Sequence, residues 1–417
     1  MTNERPLKPR VAEPQRNQGV FRFEVPEDAL GRTHPARILW DVVGTLDLSK
    51  FLAGVKAVDG TVGRRVLSPH MKLVLWLYAI SQGVGSAREI ARRVDSDDAF
   101  RWIVGNLSIG HHCLSKFRVG HGEALDRLMR DILGALMHKG VLSLDLIAQD
   151  GMRVRANASS PSFRRLPSLL ECREQAALHL KAVLAQADDP EISRAQKARR
   201  EAAARDFQVR VEEAIASVQE LQANRKPSET PPRTSTTDTE ARVMKTPDGG
   251  FRPGYNVQMA TAGSPLGGPR TIVGVRVTNA GTDMNSLTPM LDDIERRTEQ
   301  LPKRIVADAG HASHDDIRSV TERGVEALVA VPEHSKKPGR KADKDPPIAA
   351  WRERMEREDA KRLYAARAGL CELMNAHARS RYGLDQVLVR GLTKVTSVVL
   401  LVVIASNLLQ NAAVLLS

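Results

Sequence analysis

At residues 304–313 the chain reads RIVADAGHAS: an apolar strand runs straight into an aspartate and then opens into Ala-Gly-His. A charge at the end of a buried strand is costly unless something pairs with it, and a bound metal ion is one such partner. Asp308 is therefore a candidate ligand, provided that other carboxylates reach the same point.

Working outward, residues 283–301, DMNSLTPMLDDIERRTEQL, form an amphipathic helix before this strand, and HDDIRSVTERG (314–324) and VEALVAVP (325–332) give a helix and a strand after it. Farther upstream lie two strand-like runs, GYNVQMATA (254–262) and TIVGVRVTN (271–279). Earlier still, VLSLDLIAQDGMRVRA (141–156) reads as a strand, a tight turn at Asp150-Gly151 and a second strand. The order is three strands, helix, strand, helix, strand, then helices, which is a mixed α/β sheet with helical crossovers. Asp150 and Asp308 each end an apolar strand before a glycine or Ala-Gly. If those strands are neighbours, the two carboxylates can share a divalent ion; each alone is also a common turn former.

Composition narrows the partner. The chain has 417 residues, 42% of them hydrophobic, enough for two or three globular domains. Lys and Arg number 62 against 50 Asp and Glu, and the pI is near 9.8. That balance favours a polyanion, nucleic acid above all, over the alternative of a merely solvated basic surface. Aromatic residues make up only 4%, which suits a duplex binder better than a base-stacking single-strand binder. Cys113, Cys172 and Cys371 are far apart, so neither a zinc ribbon nor a disulfide framework is expected. His111-His112-Cys113 reads as ordinary helix. The N-terminal MTNERPLKPR has no apolar core, so it is not a signal peptide. VVLLVVIAS (398–406) is too short for a bilayer and is followed by Asn407, Gln410 and Asn411; it reads as a buried helix, and no membrane is expected.

Three regions follow. Residues 1–35 are polar and Pro-rich, an extended arm. Residues 36–138 carry short helices: SPHMKLVLWLYAISQGVGSAREIARRV (68–94) splits at Gly83 and Gly85, with Ser68-Pro69 capping its first helix and Ser86/Glu89 boxing its second. DDAFRWIVG (97–105) and SKFRVGHGEALDRLMRDILGALMHKG (115–140) continue the pattern. The region is either a helix-turn-helix-like DNA-binding unit or a plain helical bundle. Lys116 and Arg118 are its candidates for phosphate or base contact, against a reading as solvated face residues. Residues 139–417 hold the α/β unit, interrupted at 160–240 by two long helices rich in Ala, Glu, Arg and Lys and a Pro/Thr-rich connector. That insertion is either a spacer or a DNA-facing or dimerising arm. A basic loop, PEHSKKPGRKADKDPP (332–347), offers Lys336, Lys337 and Arg340 as further DNA contacts or solvated charges.

The last informative segment is KRLYAARAGLCELMNAHARSRYGL (361–384), a helix with Tyr364, Arg367, Glu372 and Arg379. Glu372 and Arg379 lie seven positions apart, about 20° around a helix and so on one face. This suits a metal ligand beside a phosphate-gripping arginine; in isolation it also fits an ordinary surface helix.

Taken together, strand-Asp150, strand-Asp308 and helix-Glu372, with the Tyr364/Arg367/Glu372/Arg379 series, resemble the bacterial insertion-sequence transposases of the DDE type. AQDGMRVRANA, TDTEARVMKTPDGGFRPGYNVQ, ADAG and NAHARSRYGL carry the likeness in the α/β unit, and LWLYAISQGVGSAREIARR carries it in the helical region. The resemblance spans about residues 36–411. It implies a ribonuclease-H-like mixed sheet with flanking helices, and an N-terminal helical domain that reads terminal inverted repeats. It also implies that Asp150, Asp308 and Glu372 hold two Mg²⁺ ions, with Mn²⁺ as a substitute, and that Arg379 and Arg367 grip phosphate beside Tyr364. Double-stranded DNA, both element ends and target, would be the partner, with a homodimer on DNA in the nucleoid-associated cytoplasm. His311 could touch a phosphate, but reads sooner as a loop histidine without a role. Two departures stand out: the family's Tyr-x-x-Arg-x-x-x-Glu spacing would place the acid at Cys371, and Arg379 replaces a usual lysine. The rival readings are a non-catalytic DNA-binding protein or inactive remnant, and a nuclease that cleaves without joining.

Overall fold

A computed structural model of the chain describes residues 25–53, 55, 66–186, 192–225, 230–246, 248–264, 267–332 and 345–417. The basic loop residues Lys336, Lys337 and Arg340, and residues 1–24 of the expected arm, lie outside the described residues. Order begins earlier than expected: Pro26–Ala29 forms a 3-10 turn, and Glu27 pairs with Arg37 and accepts from the Trp102 indole at 3.2 Å.

Six helices follow: α1 (Pro35–Gly44), α2 (Pro69–Ser81), α3 (Ala87–Ser96), α4 (Asp98–Val104), α5 (His111–Gly120) and α6 (Gly122–His138). Ser68 and Ser86 accept from the N–H groups of Met71 and Glu89, so two helix starts readable in the sequence are real caps. α2 is buried on every side from Met71 to Ser81, the mark of a helix enclosed by others.

The sheet is built around β1 (Ile147–Arg155). After β1 the chain leaves the sheet for a short ribbon, β2 (Phe163–Arg164) with β3 (Thr234–Ser235), and for two helices folded back on each other, α7 (Leu166–Ala185) and α8 (Arg194–Ala223). These helices share their own apolar seam, Leu169 and Cys172 against Val211, Ala214, Ile215 and Val218. The chain then adds β4 (Arg242–Lys245), β5 (Phe251–Ala262), β6 (Thr271–Thr278), α9 (Leu287–Thr298), β7 (Arg304–Ala307), α10 (His314–Glu322) and β8 (Glu326–Val329). β5 pairs antiparallel with β1 on one edge, and with β4 and β6 on the other. β7 lies parallel to β1 on its far side, and β8 parallel to β7. The order β6-β5-β1-β7-β8, three antiparallel strands followed by two parallel ones, is ribonuclease-H-like. One expectation fails here: β1 does not turn at Asp150-Gly151 but runs through it without a break, paired with β5 from Ile147 to Arg155.

Four helices complete the fold: α11 (Pro346–Glu356), α12 (Glu358–Ala365), α13 (Leu373–Ser380) and α14 (Leu392–Leu416). α14 extends well beyond the nine-residue apolar run and is long and apolar enough to cross a membrane, yet most of it is buried within the protein. It packs on β6 and on α1, α2, α5 and α6, so the helical region and the sheet share one continuous core. The amides that break its apolar pattern do specific work. Asn407, fully buried, accepts from Ile272 N–H at 2.9 Å and donates to Ile272 C=O at 2.8 Å, and Gln410 accepts from Arg270 N–H at 3.0 Å. The outer edge of β6 is thereby closed by side chains. Asn407→Leu leaves both backbone groups of Ile272 buried and unpaired, so a loss of about 2–5 kcal/mol is expected in urea unfolding. A loss below about 1 kcal/mol would show that the edge is satisfied in another way.

A second tie joins α6 to α9. Arg297, 3% exposed, donates to Asp126 at 2.5 Å and pairs with Asp293, while Arg296 reaches the same Asp126. Burial raises the Asp126 carboxyl, but its hydrogen bonds and charges with Arg296 and Arg297 outweigh this and hold it below the ordinary value. A depressed carboxylate stabilises the fold above its unfolded pKa and loses that contribution as the pH falls through the folded value. Asp126→Ala is expected to cost about 2 kcal/mol at pH 7 and progressively less below about pH 4, as followed by thermal melts.

Candidate active site

β1 and β7 place the first two acids. Ile147 pairs with Ile305 and Ala148 with Val306; carried two residues further, this parallel register sets Asp150 beside Asp308. Burial raises the Asp150 carboxyl, and the charge of Asp308 raises it further. Its Oδ1 accepts from Gly151 N–H at 2.8 Å and its Oδ2 from Asn375 Nδ2 at 3.1 Å. The Asp308 carboxyl goes the other way: the hydrogen bond from His311 lowers it despite burial. Its Oδ1 accepts from Gly310 N–H at 2.9 Å and from His311 Nδ1 at 2.8 Å, leaving Oδ2 without a hydrogen-bond partner among the described residues.

Glu372, expected as the third acid, sits on a π turn, Ala368–Glu372, between α12 and α13. A π turn holds an extra residue relative to regular helix, and it lies just where the Tyr364–Glu372 spacing is one residue longer than in the related signature. Cys371 is instead buried among Leu146, Ala148, Val306 and Leu328, and burial pushes its thiol up to about 12. Glu372 is half-exposed and bound to Arg367 Nη2 at 2.5 Å, while Arg367 Nη1 lies 3.7 Å from Asp150 Oδ2. The guanidinium thus stands between the two acids, with the Tyr364 ring 6.0 Å from its centre. Among the described residues no three His, Cys, Asp or Glu side chains close to metal-binding distance. Arg379 donates to the β1 carbonyl of Arg153 at 3.3 Å, and its Nε is buried without a partner.

Of the two N-terminal candidates, Lys116 is exposed on α5. Arg118 is not: it is 6% exposed, donates to Gly85 C=O at 2.7 Å and lies 4.8 Å from the Trp76 ring centre. Its stem and charge are absorbed inside the helical region, so it is a structural arginine and not a surface contact. His311 also departs from its reading as a loop residue, being fully buried.

Sequence reasoning missed a polar cluster on the opposite face of β1. Asp283 accepts from both Arg153 nitrogens at 2.9 and 3.1 Å, from Asn256 at 2.8 Å and from Gln258 at 2.5 Å. Burial works against its charge, yet Arg153 and Asn256 hold it below the usual carboxylate range. With its lone pairs so engaged, Asp283 is a brace and not a free ligand. Gly151 makes room for this cluster, since a Cβ there would stand 2.3 Å from Gln258 Nε2 and 2.5 Å from Asp283 Oδ1.

A ribonuclease-H-like sheet thus carries carboxylates on its central strand and on the adjacent parallel strand, with Glu372 on a π turn joined to Asp150 through Arg367. The comparisons agree. A family model described as a transposase DDE domain matches residues 219–408, spanning Asp308 and Glu372, and one described as a transposase domain matches residues 24–119. The chain belongs to the insertion-sequence DDE transposases, and DNA is its partner. A comparison with curated proteins finds no match.

Proposed function

We propose that the protein binds the terminal inverted repeats of its element and catalyses metal-dependent strand cleavage followed by strand transfer. The observation that carries this reading is the placement of Asp150 and Asp308 side by side on parallel neighbours β1 and β7. Two partly buried, mutually repelling carboxylates with one open oxygen, Asp308 Oδ2, suit a hard divalent cation. Asp150, Asp308 and Glu372 would hold two Mg²⁺ ions, or Mn²⁺, and these would activate the attacking oxygen and stabilise the leaving one.

The chain's own residues do the rest. Arg367, now tied to Glu372 and close to Asp150, would turn from carboxylate to phosphate when DNA enters, freeing Glu372. Tyr364 would keep that guanidinium flat against the backbone, and Arg379, anchored to β1, would neutralise the next phosphate. Lys116 would contact the duplex from the helical region. Cutting one end and joining it to target calls for two ends held together, and so for a homodimer on DNA. The test is a labelled duplex carrying the element's end, incubated with protein and Mg²⁺ or Mn²⁺. Nicked and joined products support the reading, nicks without joining point to a simple nuclease, and binding without cleavage points to a non-catalytic DNA-binding protein.

A further inference from the structure

His311 stands at the junction of the two halves of the site. It is fully buried, so it does not reach the DNA backbone, and its packing surroundings are polar. Nδ1 lies 2.8 Å from Asp308 Oδ1 and Nε2 lies 3.1 Å from Gln258 Oε1. The orientation of Gln258 is set independently: its Nε2 donates to Asp283 Oδ1 and Asn256 Oδ1, so its Oε1 is the face turned to His311 and to Gln149. Both ring nitrogens therefore face side-chain oxygens, Nδ1 that of Asp308 and Nε2 that of Gln258. Gln258 in turn is held by Asp283, which is clamped by Arg153. A rigid chain runs from Arg153 through Asp283, Gln258 and His311 to one oxygen of Asp308.

We infer that His311 is a positioning residue: by occupying Asp308 Oδ1 from a fixed direction, it presents Oδ2 to the bound cation. The inference rests on the metal-dependent reading above and deepens it. Carboxylates used as ligands are oriented by such outer hydrogen bonds, and loss of one typically weakens metal binding about 10–100-fold. The alternative, that His311 only fills space, predicts different behaviour in a set of three variants. Asn places an amide nitrogen near the Nδ1 position and keeps the bond to Asp308, while Gln258 retains its donor from Gln149 at 3.2 Å. Gln reaches the Nε2 position and keeps the bond to Gln258 but not that to Asp308. Phe fills the space and keeps neither.

The experiment measures Mn²⁺ binding to the free full-length protein by electron paramagnetic resonance titration, and the Mn²⁺ dependence of end cleavage, with thermal melts as a control. For His311→Asn, Mn²⁺ affinity is expected within about 3-fold of wild type, and for His311→Gln and His311→Phe a weakening of about 10–100-fold. Equal affinity in the Asn and Gln variants, or wild-type affinity in Phe, overturns the inference. Should the Phe variant fail to fold, the Asn and Gln pair alone decides. A wild type that neither binds Mn²⁺ nor cuts overturns the metal-dependent reading itself, a result distinct from any ranking among the variants.

Discussion

Asp150→Asn and Asp308→Asn should each lower end cleavage by roughly 10³-fold or more while leaving duplex binding within about 2-fold of wild type. The substitutions are nearly isosteric, and the surrounding bonds survive them. Asn at 308 can still accept from Gly310 N–H and from His311 through its amide oxygen, which puts an NH₂ group where Oδ2 was open to a cation. Asn at 150 keeps its bond from Gly151 N–H. Its new NH₂ would face Asn375, whose Oδ1 is buried without a partner and needs only an amide flip to accept. Activity and stability should therefore part company at Asp150. Its carboxyl is raised by burial and by Asp308, so the folded state favours the protonated form. The group's contribution to stability is thus present below its unfolded pKa and is lost as pH rises through the folded value. The Asn variant should melt at an equal or higher temperature than wild type at pH 7, with the gap closing at acidic pH. Glu372→Gln completes the set, since Gln can still accept from Arg367. If that variant cuts as fast as wild type, Glu372 is not the third acid.

Gly151→Ala is expected to destabilise the fold by about 3 kcal/mol and to cut activity by about 100-fold beyond what unfolding explains. The reason is space and not backbone conformation. The added Cβ would stand 2.3 Å from Gln258 Nε2 and 2.5 Å from Asp283 Oδ1, and although these are side-chain ends, each is held by hydrogen bonds within the cluster that must break for it to move away. Displacing Gln258 also loosens His311 and, through it, Asp308. Urea unfolding together with cleavage rates at a temperature where both proteins are folded separates the two effects. An unchanged rate per folded molecule would show that the cluster has no influence on the acids.

Much of the architecture was legible because it rests on periodic burial: β5, β6, α9, β7, α10 and β8 all fall where apolar spacing places them. Helix starts at Ser68 and Ser86 were equally readable, since a hydroxyl cap is a local device. The errors came where one residue type serves two ends. Asp-Gly at 150–151 looks like a turn because those residues favour turns, but here the glycine clears room for side chains from β5 and the strand never bends. The π turn at Ala368–Glu372 has no marker in the residues themselves. Arg118 and His311 are polar residues whose burial depends on partners far along the chain, Trp76 and Gly85 for one and Gln258 for the other. Asp283 and Asn375 were missed for the same reason. They sit outside any strand periodicity, and only the assembled sheet brings them to the acids.

The position of α14 has a consequence for how the protein comes into being. It supplies one wall to both the helical region and the sheet. β1, at the centre of the sheet, likewise waits for β5 and β7, each separated from it by a long stretch of chain. Such long-range closure slows folding. Without α14, helices α2 and α6 would lack the helix that packs on both, so the helical region would not stand as a finished unit on its own.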